Sequence, residues 1–176
     1  MDTGLSSSGR SVAYKAIRYW FPVALMLAVM AYFSTDVFSG ENTRGAIETI
    51  ARWLWPHISR ATINELNHYV RKAAHFTEYA VFAALVFRAM RADSPLRWKM
   101  SWFAGSFLIV ATWSLLDELH QAFTRTRGAS IYDSMLDSTG GLFALLLITL
   151  VAKIRTRPAQ IEADKWSTQA AIDERR

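Results

Sequence analysis

Apolar residues fall along this chain in four long blocks separated by short polar stretches. The first covers residues 19–33 and can be extended to 38. The second covers 73–90, with its apolar centre at 76–87. The third covers 98–116 and carries no charge from 101 to 116. The fourth covers 135–154 around an uninterrupted 140–152 core. A membrane-spanning helix needs about 20 mostly apolar residues, with a usable range of about 17–25. Blocks three and four meet that directly. Blocks one and two meet it when the polar residues near their ends are counted as interfacial.

A soluble four-helix bundle is the alternative, and it requires a polar stripe at 3.6-residue spacing on each helix. Residues 103–116 and 142–152 have none. Their only polar groups are small hydroxyls: Ser106, Thr112, Ser114 and Thr149. The pattern therefore predicts an all-α, polytopic membrane bundle of four transmembrane helices. Residues 1–18 form an N-terminal segment, 19–154 the membrane domain and 155–176 a polar tail. The Ser/Gly-rich residues 1–9 are expected to be unstructured. Between blocks one and two, Ile47, Ile50, Ala51, Leu54 and Ile58 recur at helical spacing, with Arg44, Glu48 and Arg52 opposite. Trp53 and Trp55 sit among them. This reads as an amphipathic helix, ended or kinked by Pro56, that lies at the outer membrane interface or caps the bundle.

Composition changes the picture only modestly. Hydrophobic residues make up 52% of the 176, yet mean hydropathy is only +0.10, because charge is crowded into ends and loops. Seven Trp, ten Phe and six Tyr exclude disorder over most of the length. The absence of cysteine excludes a disulfide framework, a Cys-held cluster and a Cys nucleophile. A net charge of +5 in a soluble chain would suggest nucleic acid; here it follows topology instead, and no nucleic-acid partner is expected. Thirteen of the 20 basic residues precede block one, join blocks two and three, or follow block four. The other seven are spread over longer loops. By the positive-inside rule both termini are cytoplasmic and the protein is a multi-pass resident of the cytoplasmic (inner) membrane. A cleaved signal peptide at block one is the competing reading; it would leave three spans in the same orientation.

Polar groups in the spans gather at one face. Block two enters with Arg71, Lys72, His75, Glu78 and Tyr79, of which Lys72, His75 and Tyr79 share a helix face. Block three exits with Asp117, Glu118, His120 and Gln121. Arg125 and Arg127 follow, and block four enters with Ser130, Asp133 and Asp137 above a small-residue seam at Gly140, Gly141 and Ala144. Cations at one helix N-terminus and carboxylates at another's C-terminus each oppose the helix dipole, at a few tenths to about 1 kcal/mol. Mutual pairing of Lys72 and His75 with Asp117 and Glu118 resolves both, giving a polar pocket that opens outward. Arg88 and Arg91 are read as snorkelling, and Arg71 as solvated or at lipid headgroups. His57 and His68 are loop residues without an evident partner, and His120 faces either the cluster or solvent.

The stretches Arg71-Lys72-Ala73-Ala74-His75-Phe76-Thr77-Glu78-Tyr79 and Asp117-Glu118-Leu119-His120-Gln121-Ala122-Phe123, with Arg127, Ser130 and Asp133 after them, resemble the VanZ-like family of small bacterial membrane proteins. The resemblance is strongest over residues 67–147. The chain departs from it at Asp137, where the family usually has Asn, and at Arg125-Thr126, where a Pro-Gly is common. The resemblance implies a polytopic protein of the bacterial envelope, in a family associated with resistance to the glycopeptide teicoplanin. It implies no reaction.

Three functions compete. The first is binding of a lipid-linked envelope precursor, or an amphiphilic drug such as a glycopeptide, at the outer leaflet of the lipid bilayer. Lys72, His75, Tyr79, Gln121, Arg127 and Ser130 are then the ligand-binding residues, with Arg71 near phosphate. The second is a membrane-embedded hydrolase or transferase acting on lipid-linked phosphate or sugar. His75, Glu78, Asp117, Glu118 and Asp133 are its candidate catalytic groups, with His75 as general base and the carboxylates as acid/base partners. A divalent metal fits that reading as cofactor, with His75, Glu118 and Asp133 as candidate ligands. The third, a small proton-coupled transporter, is disfavoured by the lack of charge through the midplane.

Overall fold

The computed structural model describes residues 7–34, 40–122 and 130–173. These form five helices: α1 (Ser7–Phe33), α2 (Gly40–Leu54), α3 (Arg60–Arg91), α4 (Met100–Ala122) and α5 (Ile131–Asp173). Each apolar block became one helix, and α2 is the amphipathic segment. The helices run well past the blocks. α1 begins at Ser7, inside the stretch expected to be unstructured, and α3 begins thirteen residues before residue 73.

Local chemistry sets these boundaries. α2 stops at Leu54 because the residue before a proline is pushed out of the helical region. The chain then turns through Trp55, Pro56, His57 and Ile58, closed by Ile58 N–H donating to Trp55 O at 3.0 Å, with proline at the second position that such turns favour. Ser59 caps α3 by accepting from Thr62 N–H at 3.1 Å. His68 therefore lies within α3 and is not the loop residue that the apolar pattern suggested.

α3 is the central helix and packs against each of the other four. Its side chains Tyr79, Phe82, Ala83 and Val86 are fully buried. Met90 meets Gly105, Ala83 and Val110 both meet Gly141, and Phe76 meets Gly140. α3 and α4 are thus antiparallel, and α5 runs parallel to α3. α1 returns antiparallel to α3, where Tyr19 donates a hydrogen bond to Asp93 and Lys15 Nζ lies 3.0 Å from the same carboxylate. Arg18 and Arg88 stand over the Tyr19 ring.

Around this apolar core the exterior is itself apolar, and several polar groups are buried between helices. Trp20, Phe21, Leu25, Leu108, Leu115, Phe143, Leu146 and Leu150 are exposed, while Ser106, Ser114, Glu118, Gln121, Ser134 and Asp137 are buried. Ser114 Oγ bonds Ser134 Oγ at 2.9 Å and its backbone oxygen at 3.0 Å, tying α4 to α5. An apolar exterior with hydrogen-bonded small polar groups between helices suits a solvent that is itself apolar. Among the described residues, three helices are long and apolar enough to cross a membrane: Val12–Phe33, Met100–Ala122 and Ile131–Arg155. α3 falls short on apolarity, as its polar entry half requires.

α2 packs against α3 and buries Ala51, while Trp53 is 81% exposed and Trp55 is exposed beside it. The helix is held to the bundle, while Trp53 within it and Trp55 just after it are exposed.

Candidate functional site

The polar half of α3 faces the C-terminal end of α4 and the first turns of α5. Between them lies a cavity of about 230 Å³. α3 contributes Asn64, Asn67, His68, Arg71, Lys72 and His75. Glu118 and Gln121 come from α4, and Asp133, Leu136 and Asp137 from α5. Lys72, His75, Glu118, Gln121 and Asp133, singled out in the sequence, thus meet in space. Asp117 stands beside them, its Oδ2 accepting from Gln121 Nε2 at 3.0 Å.

The pairing differs from the expected one. His75 Nδ1 lies 3.6 Å from Asp137 Oδ1, and Lys72 Nζ lies 4.0 Å from Asp133 Oδ1. The cations of α3 therefore meet the aspartates of α5. Glu118 is engaged elsewhere, since its Oε2 accepts the Ser130 backbone N–H at 2.8 Å. Ser130 immediately precedes α5, so Glu118 takes the part that a glutamate within the same helix plays in a capping box. That explains why a carboxylate stands at the C-terminal end of α4. It serves the positive end of α5 rather than opposing its own helix.

Other expected residues fall elsewhere. Tyr79 is fully buried in the core and does not line the cavity. Glu78 does not line the cavity but a neighbouring groove. His120 is exposed, as is His57 in the turn before α3. Arg125 and Arg127 lie outside the described residues. The apolar pattern gave no sign of Asn64, Asn67 and His68 as lining groups, although with Arg71 and His75 they continue one helix face at steps of three and four.

One apolar groove adjoins the cavity, and a second adjoins that groove. The nearer, about 190 Å³, is lined by Phe33, Thr43, Val70, Arg71, Ala74, His75 and Glu78. It shares Arg71 and His75 with the polar cavity. The other, about 480 Å³, continues along α3 past Val70, Ala74 and Glu78 to Thr77, Val81 and Met26 of α1. The charged chamber and the apolar trough between α1 and α3 thus have Arg71 and His75 as a common wall.

The close approach of α3 and α5 depends on Gly140. A Cβ there would stand 2.3 Å from the Phe76 carbonyl oxygen. Phe76 follows His75 directly and Gly140 lies one turn beyond Asp137, so the glycine contact sets the His75–Asp137 spacing.

Long helices with apolar outer faces, small polar groups buried between them and a charged cavity at one end define a helical membrane protein. Residues 19–152 match the family model described as VanZ/LLP1, and the chain belongs to that family. No curated protein and no solved structure matches it.

Proposed function

We propose that this protein binds an amphiphile with an anionic, phosphate-bearing headgroup, such as a lipid-linked envelope precursor, at the outer leaflet of the cytoplasmic membrane. The observation that carries the reading is the shared wall. Arg71 and His75 line both the polar cavity and the apolar groove, so a headgroup in one and a chain in the other form one continuous ligand. Lys72 and Arg71 supply donors for phosphate, and Gln121 and Ser130 supply neutral polar groups. Arg127 follows α4 in the sequence. In this reading α1, α3, α4 and α5 all span. The chain ends and the α3–α4 connection lie in the cytoplasm, where the basic residues are, and the cavity faces out. An acylated glycopeptide has the same two-part chemistry, which connects the site to the teicoplanin association of the family.

The test is native mass spectrometry of the protein purified in mild detergent and offered polyprenyl phosphate, a zwitterionic phospholipid or teicoplanin. Retention of polyprenyl phosphate above the zwitterionic lipid, lost in the Arg71→Gln/Lys72→Gln double variant, supports the reading. Retention of teicoplanin alone moves the ligand to the drug class. Equal retention of all three by both proteins refutes an assigned headgroup site.

A second reading, a hydrolase or transferase on the same lipid-linked ligand, has one observation in its favour. His75 stands beside the buried Asp137, the arrangement in which a carboxylate orients an imidazole for proton transfer. Phosphate or sugar release from the bound lipid, abolished by His75→Gln with binding retained, separates it from binding alone.

A further inference from the structure

Three helices bring three metal-ligating side chains together at the cavity. His75 of α3, Asp117 of α4 and Asp137 of α5 each offer one donor atom, and those atoms lie within 4.8 Å of one another. Asp137 indicates what belongs between them. It is 1% exposed, and neither of its oxygens has a hydrogen-bond partner among the described residues. Its nearest cationic atom, His75 Nδ1, lies at 3.6 Å, beyond hydrogen-bond length. Buried carboxylates persist in folds when they are paired, hydrogen-bonded or bound to a metal.

Apart from the buried Tyr79 hydroxyl, which also has no hydrogen-bond partner among the described residues, the neighbouring polar groups are engaged with one another. Lys72 is at Asp133, the Ser114 hydroxyl is on Ser134, and the Gln121 amide is on Asp117. Glu118 is committed to the Ser130 N–H. What converges on the gap is one imidazole nitrogen and two carboxylates.

We propose that His75, Asp117 and Asp137 bind a single divalent cation of the Mn²⁺ or Zn²⁺ type. Imidazole with carboxylate oxygen suits these ions, whereas an all-oxygen set suits Mg²⁺ or Ca²⁺ better. Donors bonded at about 2.1 Å stand roughly 3–4 Å apart around one ion, so only a small closure of the three side chains is needed. This set replaces Glu118 and Asp133, the carboxylates expected from the sequence. Three protein ligands leave coordination positions open toward the chamber lined by Arg71 and Lys72, for water or an anionic oxygen. The site stands whether or not an amphiphile binds, because all its ligands belong to this chain.

The experiment uses the full chain in detergent, stripped with a chelator and titrated with Mn²⁺ while the free-ion EPR signal is followed. About one ion per chain is expected, displaced by Zn²⁺. Asp137→Asn and Asp117→Asn should each weaken binding by more than about tenfold, while Glu48→Gln, remote on α2, leaves it unchanged. Mn²⁺ should raise the melting temperature of the wild type and not that of Asp137→Asn. Pulsed EPR of the loaded wild type should show nitrogen modulation from one imidazole, lost in His75→Gln, a readout that needs no carboxylate variant to fold. The proposal is overturned if the wild type binds neither ion, if a folded Asp117→Asn or Asp137→Asn protein binds as tightly as the wild type, or if the loaded wild type shows no imidazole nitrogen.

Discussion

Replacing Gly140 with alanine tests the contact that holds α3 against α5. The added Cβ would lie 2.3 Å from Phe76 O, 3.0 Å from its carbonyl carbon and 3.1 Å from its Cα. A carbon–oxygen pair settles near roughly 3.3–3.6 Å even in the closest recurring contacts, so the helices must separate by about 1 Å. The obstacle is backbone, and no rotamer change relieves it. Overpacking of this kind costs about 1–3 kcal/mol, and the upper end is expected here. The separation also widens the His75–Asp137 gap, so ligand retention should fall along with stability. Two other glycines calibrate the reasoning. A Cβ at Gly45 meets nothing within 4 Å, so Gly45→Ala should stabilise by about 0.5–1 kcal/mol through helix propensity alone. A Cβ at Gly105 would meet the flexible end of Met90 at 2.6 Å, and Gly105→Ala should lie between the two. Thermal unfolding of the purified proteins gives the order directly. A Gly140→Ala protein that melts with the wild type would contradict the close-packed α3–α5 interface.

Glu118→Ala removes a charge-assisted hydrogen bond to a backbone donor at the start of α5 and should lower stability by about 1.5–3 kcal/mol. Glu118→Gln, which keeps an acceptor oxygen, should lose less; thermal unfolding compares the two. The Asp93 carboxyl is held below its ordinary value of 3.8 by the Tyr19 hydroxyl and then by Lys15. Its contribution is therefore present above that value and lost as pH falls through the lower folded value. The melting-temperature difference between wild type and Asp93→Asn should be small at neutral pH, since the pair is solvent-screened, and should shrink as pH falls to about 3; a constant difference would contradict the assignment. For topology, single cysteines replacing His57 at the cavity end and Leu96 at the opposite end should behave oppositely toward an impermeant thiol reagent in intact cells. Only the His57 position should label, and labelling of Leu96 alone would invert the orientation.

Much of the architecture was legible because hydropathy alone carries it. Residues 101–116 and 140–152 are apolar on every side and can be little other than lipid-facing or core helix, and α4 and α5 contain them. Helix ends were less legible. The polar first half of α3 looks like a loop when only apolar runs are followed, since it owes its helical form to the Ser59 cap and to packing against α2. That one misreading removed Asn64, Asn67 and His68 from the site. The cluster was legible as a set, because Lys72, His75, Asp117, Glu118 and Asp133 share one end of the bundle. Its pairing was not. Which carboxylate meets His75 depends on helix rotation and on the Gly140 contact, neither of which spacing within single helices reveals. The role of Glu118 was hidden for a related reason, since capping the next helix requires knowing where α5 begins.

The central claim is that the polar cavity and the adjoining apolar groove hold the two halves of one amphiphile. Photo-crosslinking with two polyprenyl phosphate analogues tests it most directly, one carrying its reactive group beside the phosphate and the other along the chain. Peptide mapping should place the first label on α3 and α5 around His68, Lys72 and Asp133, and the second on the groove residues Met26, Phe33, Val70 and Val81. Two probes that label the same lipid-facing residues of α4 and α5, with nothing at the cavity, would contradict it.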